Sequence, residues 1–160
     1  MIAERPDLAV ALRCLIYHGH QETEIRARLV GAFGDSNGSQ PTYLAPGLMT
    51  LQRETMNDKP TAGYFGTWGW QEDAIGEIGL GVIVAPEVVK DVRTINNERH
   101  IRCRPSSDGR LRYWVIGDWR RGRQYPVAPT ANHWRRELEQ LAEVLLQDIN
   151  VNVGRSEDVP

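Results

Sequence analysis

The residue types best suited to chemistry fall between residues 98 and 116, in ERHIRCRPSSDGRLRYWVI. His100, Arg102, Arg104, Arg112 and Trp114 share one parity there, while Ile101, Cys103, Leu111, Tyr113 and Val115 share the other. A two-residue Asp108-Gly109 turn would pair Cys103 with Trp114 and scatter the apolar groups over both faces. A three-residue loop, Ser107-Asp108-Gly109, with Gly109 left-handed, pairs Cys103 with Tyr113 and keeps them together. The longer loop is preferred, and it sets Arg102 opposite Trp114 and Arg104 opposite Arg112 on the outer face. Guanidinium forks bind carboxylates bidentately, and a tryptophan face stacks on a sugar ring or on arginine. Such a face suits a uronate polymer. Elimination on it would use His100 or Tyr64 as proton acceptor and Arg102 or Arg112 to neutralise the carboxylate. The plainer alternative is a solvated face whose arginines pair with nearby acids and lie along Trp114.

Residues 61–81, TAGYFGTWGWQEDAIGEIGLG, offer a second place to look. Tyr64, Trp68 and Trp70 alternate along an extended run, and either a sugar platform or one wall of a core would explain them. The core wall is preferred, with Gln71 and Glu72 at the open strand end placed to touch substrate. Glu72, Asp73 and Glu77 could supply the acid and base of a hydrolase, which needs carboxylates roughly 5–10 Å apart; solvated turn acids are the plainer reading. Trp119 opens a basic loop, WRRGRQYP, suited to gripping an acidic saccharide. His18 and His20 flank a turn glycine without a third ligand nearby, and His133 falls in the first turn of a helix. No nucleophile elbow, phosphate loop, zinc-protease or dinucleotide fingerprint is present, and no motif specifies a cofactor or a metal.

Positioning these residues requires a sheet. The alternating runs Leu12–Ile16 and Ile25–Phe33 flank HGHQET and read as an antiparallel hairpin with one wet face. Pro46 marks residues 42–55 as an edge or interrupted strand. Strands follow over about 62–70 and 77–85. Glycines opposite the aromatics there imply close packing or space for a ligand. Thr130 caps a helix over 131–149, with Trp134, Leu138, Leu141 and Leu145 along one stripe. The pattern predicts a single domain over 1–150, an antiparallel β-sandwich closed by one C-terminal helix, with a flexible tail over 151–160.

The bulk numbers fit one domain: 160 residues, 41% hydrophobic, 25% charged, net charge −2. That balance argues against a nucleic-acid or anionic-membrane binder, and no apolar run approaches the roughly 20 residues of a membrane span. The N-terminus has acids and a proline where an export signal has basic residues, so a cytoplasmic location is expected for the chain as written. Cys14 and Cys103 lack ligand spacing; two buried thiols are expected, with a disulfide between them left open.

Four segments together carry a resemblance: YLAPGLMT; YFGTWGWQ with GEIGLGVIV; GRLRYWVIGDWRRG; and YPVAPTANHW opening the helix. Their order, over residues 12–146, resembles an uncharacterised bacterial domain family of polysaccharide-utilisation loci, found beside pectin and uronide enzymes. The resemblance implies a large carbohydrate-enzyme type of sandwich and an acidic oligo- or polysaccharide partner. It assigns no catalytic residue. Family members are longer and exported, so the resemblance implies that this chain matches their C-terminal half, with periplasmic or secreted placement for the longer form. Half a sandwich would leave exposed sheet edges, from which homo-oligomers are expected.

Overall fold

The elements follow from period and punctuation. A computed structural model describes residues 8–18, 20–31, 42–119 and 130–147. Within them lie β1 (Leu8–Ile16), β2 (Thr23–Gly31), β3 (Gly47–Met49), β4 (Gln52–Met56), β5 (Tyr64–Trp70), β6 (Glu77–Val84), β7 (Val89–Ile95), β8 (Glu98–Cys103), β9 (Arg110–Trp119) and α1 (Ala131–Leu145). A six-stranded sheet runs β1-β2-β9-β6-β5-β4 and a three-stranded sheet runs β3-β8-β7, all antiparallel.

Period two gives each sheet an apolar face, and the two faces meet. Ala27, Leu29, Phe65, Val82, Val84 and Leu111 of the large sheet pack against Leu44, Leu48, Ile101 and Cys103 on the side of the small one. On the other face of the large sheet lies α1, with Trp134, Leu138 and Ala142 set over Tyr64, Trp68, Ile83, Trp114 and Ile116. The described architecture is therefore mainly antiparallel β, sandwich-like, with one C-terminal helix. Thr130 caps that helix, its hydroxyl accepting from the His133 N–H at 3.4 Å. The helix ends at Leu145, four residues short of the expected end, with Leu146 as the C-cap, and residues 148–160 lie outside the described set. The loop over 34–41 and residues 120–126 of the basic loop also fall outside it.

Tyr64 and Trp68 do form a core wall, but beneath the helix rather than between the sheets. The glycines facing them provide close packing. A Cβ on Gly79 would lie 2.6 Å from Trp134 Cδ2, and one on Gly81 2.5 Å from Leu138 Cδ2. Pro46 interrupts as expected: Leu44 bridges to Cys103, β3 edges the small sheet and β4 edges the large one.

The hairpin expected over residues 98–116 does not form. The tight turn is there, with Gly109 left-handed at φ 76° and the Ser106 N–H donating to Arg110 O at 2.9 Å. Pairing stops at once, because β8 and β9 belong to different sheets. Pro105 has no N–H to continue a ladder, and the Arg104 N–H donates to Val88 O instead. Cys103 pairs with Val89, and Tyr113 with Ile25 and Val84.

Cys14 is exposed on β1 and Cys103 is buried between the sheets, both as free thiols. Burial pushes the Cys103 thiol up to about 12. A thiol reagent at neutral pH is therefore expected to count one fast group in native protein and two in denaturant. Two fast groups before unfolding would contradict this placement.

Candidate functional site

The separation of β8 from β9 redistributes the expected site. His100 lies on the outer face of the small sheet, its Nε2 3.5 Å from Glu98 Oε2. Tyr64 is buried under α1 on the far side of the large sheet. These two proposed proton acceptors belong to different layers and serve no common centre. Arg102 is held by Asp91 through Nε (2.6 Å) and Nη2, and its guanidinium carbon sits 4.8 Å from the Tyr43 ring centroid. Arg104 is exposed in the crossing between sheets. Arg102 thus lies apart from Arg112 and Trp114, whereas Arg104 and Arg112 both line a shallow cleft of about 290 Å³ beside the Ser106–Arg110 turn. Arg112 and Trp114 are in direct contact, the guanidinium carbon 4.6 Å from the ring centroid. Trp114 is buried, so it offers no open stacking face.

At the opposite end of β9, Trp119 Nε1 donates to Ile75 O in the turn that carries Gln71 and Glu72. Trp119 thus lies against the turn that follows Gln71 and Glu72, with Glu72 and Trp119 exposed and Gln71 half-buried.

A different centre emerges around Arg112. Its register partner across β2 is Arg26, whose own partner across β1 is Arg13. One row along, Arg110 faces Arg28. Five exposed arginines therefore stand in two adjacent rows on the same face of the sheet, where α1 does not cover it. Rows are about 6.6–6.8 Å apart and strands about 4.7–4.9 Å. Like charges directly opposite each other destabilise a sheet. An arrangement that costs stability and is exposed to solvent has the form of an anion receptor.

Glu24 makes the arrangement tolerable. Its side chain, 1% exposed, lies opposite Trp114. It accepts from Arg26 Nε (2.6 Å), Arg112 Nε (2.7 Å) and the Tyr17 hydroxyl (2.8 Å). Burial alone would raise this carboxyl, but the hydrogen bonds from Arg26, Tyr17 and Arg112 outweigh it and hold the group at about 2. Asp108 similarly holds Arg110 at 2.8 Å. Arg13 and Arg28 have no ion-pair partner among the described residues. The side chains of Arg26 and Arg112 remain 52% and 59% exposed while anchored through Nε. They are oriented in advance, which lowers the entropy cost of gripping a ligand.

Beside this face a cleft of about 530 Å³ is lined by Tyr17, His20, Glu22, Glu24, Arg112 and Trp114, and by the end of α1. His20 Nδ1 is 2.6 Å from Glu22 Oε1, which orients the ring. His18 is exposed, and His133 contacts its own cap, Nδ1 to Thr130 Oγ1 at 2.9 Å. No group of three or more His, Cys, Asp or Glu among the described residues could hold a metal ion. No described helix is long and apolar enough to cross a membrane.

Sequence reading missed Tyr17, Glu22, Glu24, Arg26, Arg28 and Arg13 as site residues. Glu24, Arg26 and Arg28 were legible as the wet face of a hairpin, but the Glu24–Arg112 bond spans 88 positions. Strand β7 was missed as well, although Asn96-Asn97 between Ile95 and Glu98 is a readable signal. Both asparagines have positive φ (50° and 62°), as a two-residue hairpin turn demands. No protein-family model, curated protein or solved structure matches this chain.

Proposed function

We propose that the protein binds carboxylate-bearing glycans, uronate-containing oligo- or polysaccharides, through the open β1–β2–β9 face. The observation that carries this reading is the grid of Arg13, Arg26, Arg112, Arg28 and Arg110 in direct cross-strand register, two of them pre-set by the buried Glu24. A polymer with one carboxylate per sugar presents repeated anions to repeated forks, and many modest contacts add up. The resemblance of the four sequence segments to a pectin-associated family supports a sugar acid over other polyanions.

Titration calorimetry with oligogalacturonate should show salt-dependent binding that neutral galactan lacks. Arg13→Ala with Arg28→Ala should weaken it roughly tenfold or more, since two charge-assisted contacts are each worth about 1.5–3 kcal/mol before solvent screening. Both side chains are exposed and lack described ion pairs, so folding should be unchanged. Equal binding to galactan, no effect of the double variant, or tighter binding to single-stranded DNA would each overturn the reading.

One observation favours a catalytic version: His20, held by Glu22, shares the cleft with Arg112. In an elimination, Arg112 would neutralise the uronate carboxylate and His20 would take the C5 proton, while the C4=C5 double bond forms and the C4–O bond breaks, the departing glycosidic oxygen taking a proton from water. Unsaturated-uronate absorbance that appears with wild type and vanishes in His20→Ala supports it. A flat trace with wild type leaves binding alone.

A further inference from the structure

Two strands edge each sheet, and three of the four edges are blunted. In β4 the register shifts between Gln52 and Thr55, with Arg53 left-handed at φ 50°. Strand β3 is only three residues long. Strand β7 carries Lys90, Asp91 and Arg93 and shifts register between Val89 and Asp91. These are the usual devices that stop a sheet from adding strands. The fourth edge, β1, has none of them. It runs nine residues in unbroken register with β2, contains no proline or bulge, and bears one charge, Arg13. Its outer backbone groups have no partner among the described residues.

The apolar side of β1 is also bare. Val10, Leu12 and Ile16 are 51%, 61% and 79% exposed, and Cys14 is exposed beside them. Their register partners on β2 include Leu29, Ala27 and Ile25, which are buried. Among the described residues, the covering layer thus reaches β2 and stops short of β1.

We propose that β1 pairs antiparallel with β1 of a second copy about a two-fold axis through Leu12, joining two six-stranded sheets into one. The strand's own sequence selects this occupant and this register. Leu12 is the midpoint of Leu8–Ile16, so the register centred there pairs all nine residues. It sets Leu12 on the partner's Leu12, Val10 on the partner's Cys14 and Leu8 on the partner's Ile16. On the opposite face Arg13 meets the partner's Ala11, so no like charges oppose each other across the seam. A register centred on Arg13 would oppose two guanidinium groups and shorten the ladder, and one centred on Ala11 pairs only seven residues. An isologous contact of this kind closes on itself and yields dimers rather than fibres.

On the proposed glycan-binding reading, the row Arg112, Arg26, Arg13 would continue into the partner's Arg28 and the partner's Arg110. The dimer itself does not depend on that reading, and its test uses no glycan. Sedimentation velocity over a concentration series should show monomer giving way to dimer. Leu12→Lys, at an exposed position, should weaken dimerisation roughly tenfold or more with an unchanged thermal melt. Val10→Cys should place a thiol opposite the partner's Cys14, where directly opposed strand residues are about 4.5–5.5 Å apart at Cα, within disulfide range. Oxidation with diamide under native conditions should then give a covalent dimer in far higher yield than wild type. A wild type that stays monomeric throughout, a dimer indifferent to Leu12→Lys, or a Val10→Cys variant that cross-links no better than wild type would overturn the proposal.

Discussion

Glu24→Ala is expected to lower folding stability by about 2–3 kcal/mol, read from the midpoint of urea unfolding. Stripping one partner from a buried ion pair typically costs about 3–5 kcal/mol. The smaller figure applies here because Arg26 and Arg112 are more than half exposed and water can resolvate them. What remains is the loss of three hydrogen bonds at one carboxylate and the repulsion along the row Arg13, Arg26, Arg112. The pH dependence has a definite sign. The folded carboxyl is held at about 2 against an ordinary 4.5. Its stabilisation is therefore complete above pH 4.5 and is lost as pH falls from 4.5 towards 2. Glu24→Gln should narrow its stability gap to wild type across that window and show a constant gap above it. A gap that stays constant down to pH 2 would refute the role given to this carboxylate. The same variant should also weaken glycan binding, since the two arginines it anchors would be free to wander.

Trp134→Ala should cost about 3–5 kcal/mol, the usual range for emptying a fully buried tryptophan site. The indole is 0% exposed and seats over Gly79, where an added Cβ would fall 2.6 and 2.7 Å from its ring carbons Cδ2 and Cε2. Gly79→Ala alone should destabilise by about 1–3 kcal/mol, because a rigid ring on one side and Trp68 on the other cannot both give way. Combined, the two changes should cost less than their sum, since the methyl enters space the ring has vacated. Thermal or urea melts of the four-member cycle would measure this. Additive costs would mean that helix and strand do not meet as described. Trp134 Nε1 is buried without a hydrogen-bond partner among the described residues, so Trp134→Phe should cost less than its lost volume implies.

Local pattern carried much of the fold and little of the site. The β1–β2 and β5–β6 hairpins, the Pro46 interruption and the Thr130 cap each depend on residues close in sequence, and each was readable. The left-handed Gly109 was readable too. The route taken after it was not. A parity argument keeps apolar groups on one face but cannot tell whether two neighbouring strands pair side by side or stack in facing sheets. Both satisfy the alternation of Ile101, Cys103, Leu111 and Tyr113. What separated them was competition: β8 has both edges filled by β3 and β7, and β9 by β2 and β6. The candidate site depends on that same long-range choice. Arg112 and Trp114 were identified from sequence, but their partners Glu24 and Arg26 come from a strand more than eighty positions away.

The small sheet is held by more than apolar contact. Arg99, 4% exposed, donates from Nη1 to Asp58 Oδ2 at 2.8 Å and from Nη2 to Gly66 O at 3.0 Å, while Asp58 Oδ1 accepts the Gly66 N–H. One guanidinium on β8 thus reads one backbone position on β5. Greasy layers slide cheaply, because a leucine displaced by one residue meets another methyl. A displaced Arg99 would give up both the Asp58 carboxylate and the Gly66 carbonyl, and breaking a buried ion pair typically costs several kcal/mol. That single cation indexes the laminate: it fixes how far along the large sheet the small one may sit, as a pin fixes two plates that glue alone would let creep.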